Sequence, residues 1–212
     1  VGRKRGLMRI LALLLALAIF GGCTTVLKVT EAPAPEIPNK PVDVWLLPIE
    51  GFPPEYAREL EKTFSAELGL KVRATVHTGR TAKMYGPSGQ MIAERVRDDL
   101  EIPIKRLYNL TPKTIFIALT RDDLNGEDGG TRFVFASHFP PERLSVISTA
   151  RLNDASYGKP DTPENTRLRL YKMVKKAIGL QYYGYWRSTD LKSVMYSPIM
   201  SLDDLDAVGT SF

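Results

Sequence analysis

The sequence predicts an α+β domain, α/β-like in its chain order, in which a twisted mixed sheet carries two or three long helices. Three observations predict it. Between Val44 and Val76 a short apolar run, an amphipathic stretch and an alternating stretch follow one another, the order of a βαβ unit with a right-handed crossover. The run Thr114-Ile115-Phe116-Ile117-Ala118-Leu119 is almost continuously apolar, as a strand buried on both faces requires. Leu170, Met173, Val174, Ala177 and Ile178 then fall at i, i+3, i+4, i+7 and i+8, one apolar stripe at helical period. The 212 residues are 43% hydrophobic and 25% charged, a composition that fits one globular domain.

Taken in order, the domain is expected over residues 42–212. Val44 to Ile49 reads as a buried strand, ended by Pro48 and Gly51. Pro53-Pro54 opens a helix over Glu55–Leu68, with Tyr56, Leu60, Phe64 and Leu68 on one side and Gly69 as its stop. Lys71 to Val76 alternates polar and apolar like a half-buried strand. After a loop from Thr78 to Ser88, a second helix is expected from Ser88 or Gly89 to about Leu100, with Met91, Ile92, Val96 and Leu100 inward. Residues 102–112 show no clear period. Asp122 to Gly130, DDLNGEDGG, reads as a solvated turn, because its acids lack the alternate spacing and terminal Glu of an EF-hand loop. Two extended segments follow, Arg132–Ser137 and Ser145–Leu152. Thr162-Pro163-Glu164 then starts the long helix, with Thr as cap and Pro at the first position. Gly179 is expected to end it as a left-handed cap.

The amino terminus has a different character. Arg3, Lys4, Arg5 and Arg9 precede an apolar run from Ile10 to Phe20 that ends in Gly21-Gly22-Cys23, the pattern of a secretory signal. The run is shorter than the roughly 20 residues a membrane span needs. Small-small-Cys at this place resembles the bacterial lipobox. That resemblance implies a signal peptide over 1–22, lipidation of Cys23, a membrane partner, and a cell-envelope location outside the cytoplasm, at the outer membrane or periplasm of a Gram-negative cell. An uncleaved membrane anchor with an incidental cysteine is the alternative. Residues 23–41, with Pro33, Pro35, Pro38 and Pro41, read as an extended tether. Cys23 is the single cysteine, so no disulfide can form within the chain. The signal holds four positive and no negative residues, so removing it takes the net charge from +5 to 5 − 4 = +1. Nucleic acid is therefore not an expected partner.

The helix ending in Gly179-Leu180, then Ser193-Val194-Met195 and an acidic tail, resembles the active-site region of metzincin metallopeptidases, in the archaemetzincin branch. In that family the helix reads His-Glu-x-x-His-x-x-Gly-Leu-x-His, and a Met-turn lies beneath the zinc. Gly86-Pro87 with Gln90, Asp122 to Asn125, Arg132 to Ser137 and Ser145 to Leu152 follow the family's order, so the resemblance spans about residues 43–206. It implies a metzincin-type fold with an active-site helix over 163–178 and a Met-turn near Met195. With the family glycine on Gly179, the three zinc-ligand positions hold Lys172, Lys176 and Tyr182, and the general-base position holds Met173. Tyr183 and Ser193 stand where the family has cysteines for a second zinc.

A lysine ammonium has no lone pair for a metal, and a thioether cannot take a proton from water. The expectation is thus a degenerate site with no catalytic residue and no cofactor, a pseudo-metallopeptidase serving as a binding or structural module. Its partner would be an extended peptide along the edge segment, or an anion in a groove formed by Lys172, Lys176 and Tyr182 with Arg169 and Lys175. A solvated helix face is the plainer reading of those cations. Tyr182, Tyr183, Tyr185 and Trp186 are expected to cluster, as core packing or as a stacking platform. The alternative function is a zinc-dependent peptidase or hydrolase working through an atypical site drawn from His77, His138 or Asp203, Asp204 and Asp206.

Overall fold

The computed structural model describes residues 40–160 and 162–212; the signal, Cys23 and nearly all of the tether lie outside the described residues. The centre is a five-stranded sheet in the order β2 (Val72–Ala74), β1 (Val44–Pro48), β4 (Ile115–Thr120), β7 (Leu144–Ser148), β6 (Ala136–Phe139). The first four run parallel, and β6 closes one side as an antiparallel edge. This is the mixed sheet the sequence predicts. Every residue of β1, β4 and β7 is buried, because the pleat sends alternate side chains into two separate apolar layers. Val44 and Leu46 of β1 join α1 (Pro54–Leu68) and α3 (Pro163–Ile178), while Trp45 and Leu47 join α2 (Ala93–Lys105) on the other face. Each fully buried Leu or Ile of this kind contributes about 1.5–3 kcal/mol. Among the described residues no helix is long and apolar enough to cross a membrane.

Helix α1 forms where the four-residue repeat requires, with Pro54 in its first turn and Gly69 left-handed at φ 66° behind it. The second helix begins later than its apolar pattern suggests. Met91 and Ile92 form a short strand, β3, that pairs in parallel with β5 (Leu124–Asn125), and α2 starts only at Ala93 and runs to Lys105. Both residues are buried as expected, but as part of a two-strand ladder. The expected loop before them holds a short helical turn over Ala82–Met84. Within Asp122–Gly130 the first residues are anchored: the Asp123 carboxylate accepts two hydrogen bonds from the Arg151 guanidinium, at 2.9 and 2.6 Å. A short helix, α4 (Leu202–Ala207), lies near the carboxyl end, capped by the Ser201 hydroxyl accepting from the Asp204 amide.

The end of α3 departs from expectation. Gly179 is not a left-handed cap: its φ and ψ are −54° and −50°, and the chain continues through a wider π turn over Gly179–Tyr183. The left-handed residue is Gly184, at φ 69°. What requires a glycine at 179 is contact. A Cβ there would lie 2.5 Å from Met195 Sδ and 2.9 Å from Phe212 Cε1. Gly179→Ala is therefore expected to lower unfolding free energy in urea by about 1–3 kcal/mol. Combining it with Met195→Ala, which empties the colliding volume, should cost clearly less than the sum of the two single changes.

Candidate functional site

Four of the cations of α3 do not form a solvated face. Arg169, Lys172, Lys175 and Lys176 are 3%, 4%, 5% and 7% exposed, so each must find oxygen inside the protein. Arg169 lies between two acids: its guanidinium bonds both Asp206 oxygens at 2.7 and 2.6 Å, and Asp154 Oδ1 at 3.0 Å. Lys175 pairs with Glu67 of α1 and bonds the Tyr171 hydroxyl. Lys172 donates to the Leu205 and Asp206 carbonyls, at 2.9 and 3.0 Å, in the last turn of α4. A cation is favoured there by the helix dipole and the unpaired carbonyls. Burial nonetheless lowers the Lys172 pKa.

Lys176, one turn further along, points elsewhere. Together with Met173 it lines a cleft of about 550 Å³ between α3, the segment leading into β6, and residues 197–200. Its ammonium donates to the Tyr196 carbonyl, and burial, then the nearby Arg187 guanidinium, lower its pKa to about 8. His138 faces the same cleft, with Nδ1 2.9 Å from the Ser145 hydroxyl. Burial, then Lys176 and Arg187, push it down to about 4, so its ring is neutral at pH 7. Among the described residues no carboxylate lines the cleft, and neither Lys176 nor Arg187 belongs to an ion pair. One wall is an open sheet edge. Ser148 N–H donates to the Phe135 carbonyl at 3.0 Å, which fixes the alternation along the antiparallel pair. Ala136 and His138 therefore turn their backbone N–H and C=O groups away from β7, toward the unpaired side.

The structure thus separates the residues expected to form one groove. Lys176 and Met173 are in the cleft; Lys172 is turned to α4; the Tyr182 hydroxyl donates to Asp43 at 2.8 Å. Burial, then Asp43, push the Tyr182 pKa up to about 12, which keeps it a phenol. Met195 is buried, against Gly179. Tyr182, Tyr183 and Tyr185 do cluster, joined by Phe212, but Trp186 is 91% exposed and stands apart. His77 bonds the Phe52 carbonyl, Asp206 is taken by Arg169, and Asp204 accepts the Met200 amide. Among the described residues no three His, Cys, Asp or Glu side chains are grouped to hold a metal. Arg187 is the cleft residue that sequence reasoning missed. It is a lone arginine in a loop, and only the fold brings it to Lys176.

The chain order, the four parallel strands with an antiparallel edge, and a helix passing the cleft define a known architecture. The fold is that of the archaemetzincins. A zinc-dependent peptidase from Methanocorpusculum labreanum superposes with a TM-score of 0.68 at 20% identity, over 80% of this chain and 95% of that one. Archaemetzincin from Methanopyrus kandleri gives 0.63 at 25% identity, over 81% and 89%. Archaemetzincin from Archaeoglobus fulgidus, solved with malonate, gives 0.61 at 20% identity, over 80% and 94%. No protein-family model matches the sequence, and no curated protein matches it significantly.

These relatives correct one expectation. The chain was expected to have no cofactor, yet a protein of the same archaemetzincin fold is zinc-dependent, so zinc is the metal associated with this architecture. The α3 side chains do not fit that ion at residues 172, 173 and 176. Two ammonium groups present only donors, both already committed to carbonyls, and Met173 is a thioether.

The cleft histidine has a measurable signature. The unfolded chain takes up a proton on His138 near the ordinary 6.5, the folded chain only near 4. Between these values the unfolded state binds more protons, so this stability is held above pH 6.5 and lost as pH falls toward 4. Urea unfolding at pH 7 and pH 4.5 should show a steeper loss for the native sequence than for His138→Gln, the difference approaching one proton.

Proposed function

We propose that the chain uses the archaemetzincin fold as a binding module of the cell envelope, tethered through lipidated Cys23, and that its cleft holds an extended peptide or another anionic ligand without hydrolysing it. The observation that carries this reading is the cleft itself: an open β6 edge faces a floor on which Lys176 and Met173 stand, with no carboxylate among the described residues that line it to act as general base. Main-chain groups on an edge strand bind an extended peptide by strand addition. Charge in the cleft is positive, from Lys176 and Arg187, and the Archaeoglobus fulgidus relative was solved with a dicarboxylate. The N-terminal signal pattern, small-small-Cys and the proline-rich tether support the anchored location.

The second reading is zinc-dependent hydrolysis through a different ligand set, which the zinc dependence of the Methanocorpusculum labreanum relative favours. A quenched-fluorescence peptide mixture incubated with the protein and equimolar zinc sulfate separates them. No cleavage above the zinc-only background, with unhydrolysed peptides raising the melting temperature, is the expected result. Cleavage that needs both protein and zinc would establish the second reading instead.

A further inference from the structure

We propose that the cleft recognises the free C-terminal carboxylate of an extended peptide, held by Lys176 and Arg187 while the peptide backbone pairs with the outward groups of Ala136 and His138. The inference rests on the peptide-binding reading above and names what that cleft selects.

The chemistry follows from what lines the cavity. Lys176 is 7% exposed yet has only the Tyr196 carbonyl as partner, which leaves two ammonium protons without a hydrogen-bond acceptor among the described residues. The other buried cations of α3 are treated differently: Arg169 and Lys175 meet carboxylates, and Lys172 meets two carbonyls. Arg187, at the mouth of the same cavity, has no acidic partner among the described residues. Its planar fork matches a carboxylate with two parallel hydrogen bonds. His138 adds no competing charge, because its ring is neutral at pH 7. A buried ammonium lacking an anion is costly, and a ligand that supplies one removes the cost.

The geometry selects a chain end over an isolated anion. Ala136 and His138 both line the cavity, and their outward backbone groups fall two residues apart, the repeat of a pairing strand. A peptide paired there has one anion independent of its side chains, the terminal carboxylate. The apolar walls, Phe133, Phe135 and Ile199 among them, accept uncharged side chains of the last residues.

The test uses fluorescein-labelled hexapeptides of alanine, valine and leucine, one ending in a free carboxylate and one amidated, with binding read by fluorescence polarisation on the whole chain at pH 7. The free acid should bind at least 10-fold tighter than the amide, the range expected for loss of a charge-assisted pair of hydrogen bonds. Arg187→Gln, a change at an exposed side chain, should erase most of that ratio without altering the melting temperature. Lys176→Met should do the same if it folds. Acetate at the peptide's concentration should not compete. Equal binding of acid and amide, an unchanged ratio in Arg187→Gln, or displacement by equal acetate would overturn terminal recognition and leave the peptide cleft standing. Binding of neither peptide would overturn the cleft reading as well.

Discussion

Burying four cations along one helix is the constraint that shapes the rest of this molecule. An amphipathic helix normally sends such residues to water, and α3 cannot from Arg169 onward, because sheet, α1, α4 and the 196–200 segment cover that part of it. Each charge must then be met by oxygen, and the three elements that supply it are fixed in place by doing so. Arg169 and Lys172 tie α4 and the Asp154 turn to α3, and Lys175 ties α1 through Glu67. The cations are the dry partners: removing their acids leaves a buried charge uncompensated, whereas Asp206 and Glu67 keep part of their surface in water. Polar contacts therefore hold the C-terminal elements against a helix whose apolar stripe faces the sheet.

Lys176 is where this arrangement stops short of closure. It sits one helical turn beyond Lys172, and that turn carries it from the carbonyls of α4 to the floor of the cleft. The close approach of Met195 to Gly179 sets how far the helix reaches before the chain turns away through Tyr182 to Gly184. The same turn delivers Arg187 to the cavity. The electropositive character of the cleft thus follows from the helix position of Lys176 and the turn that brings Arg187 beside it, while His138 is kept neutral first by burial and then by those two cations. The archaemetzincin architecture supplies the cleft and its open edge; the identity of residues 173, 176 and 187 sets what chemistry is available inside it.

Much of the fold was legible in the sequence because its signals are local. The four-residue repeat of α1, the unbroken apolar run of β4 and the stripe from Leu170 to Ile178 each state their own structure. The failures share a physical cause, a distant partner. Met91 and Ile92 carry the spacing of a helix but pair with Leu124 and Asn125, more than thirty residues away. Gly179 has the place of a helix cap, yet its requirement comes from Met195 and Phe212. Lysines on a helix imply water by default, and nothing near Lys172 in sequence announces the carbonyls of Leu205 and Asp206. In the site, the helix that carries Lys172 and Lys176 was readable, whereas the division of Lys172, Lys176 and Tyr182 among three environments was not. Arg187 carried no signal at all.

The cationic character of the cleft depends on Lys176 being a desolvated, unneutralised cation beside Arg187. Titrating that amine directly, by NMR of reductively 13C-methylated protein with Lys176→Arg to assign the signal, measures this. A midpoint near 8, moving upward when Arg187 is changed to Gln, is the predicted result. An ordinary lysine midpoint near 10.5, unmoved by that change, would mean the amine is solvated or paired and the cleft is not the cationic site described.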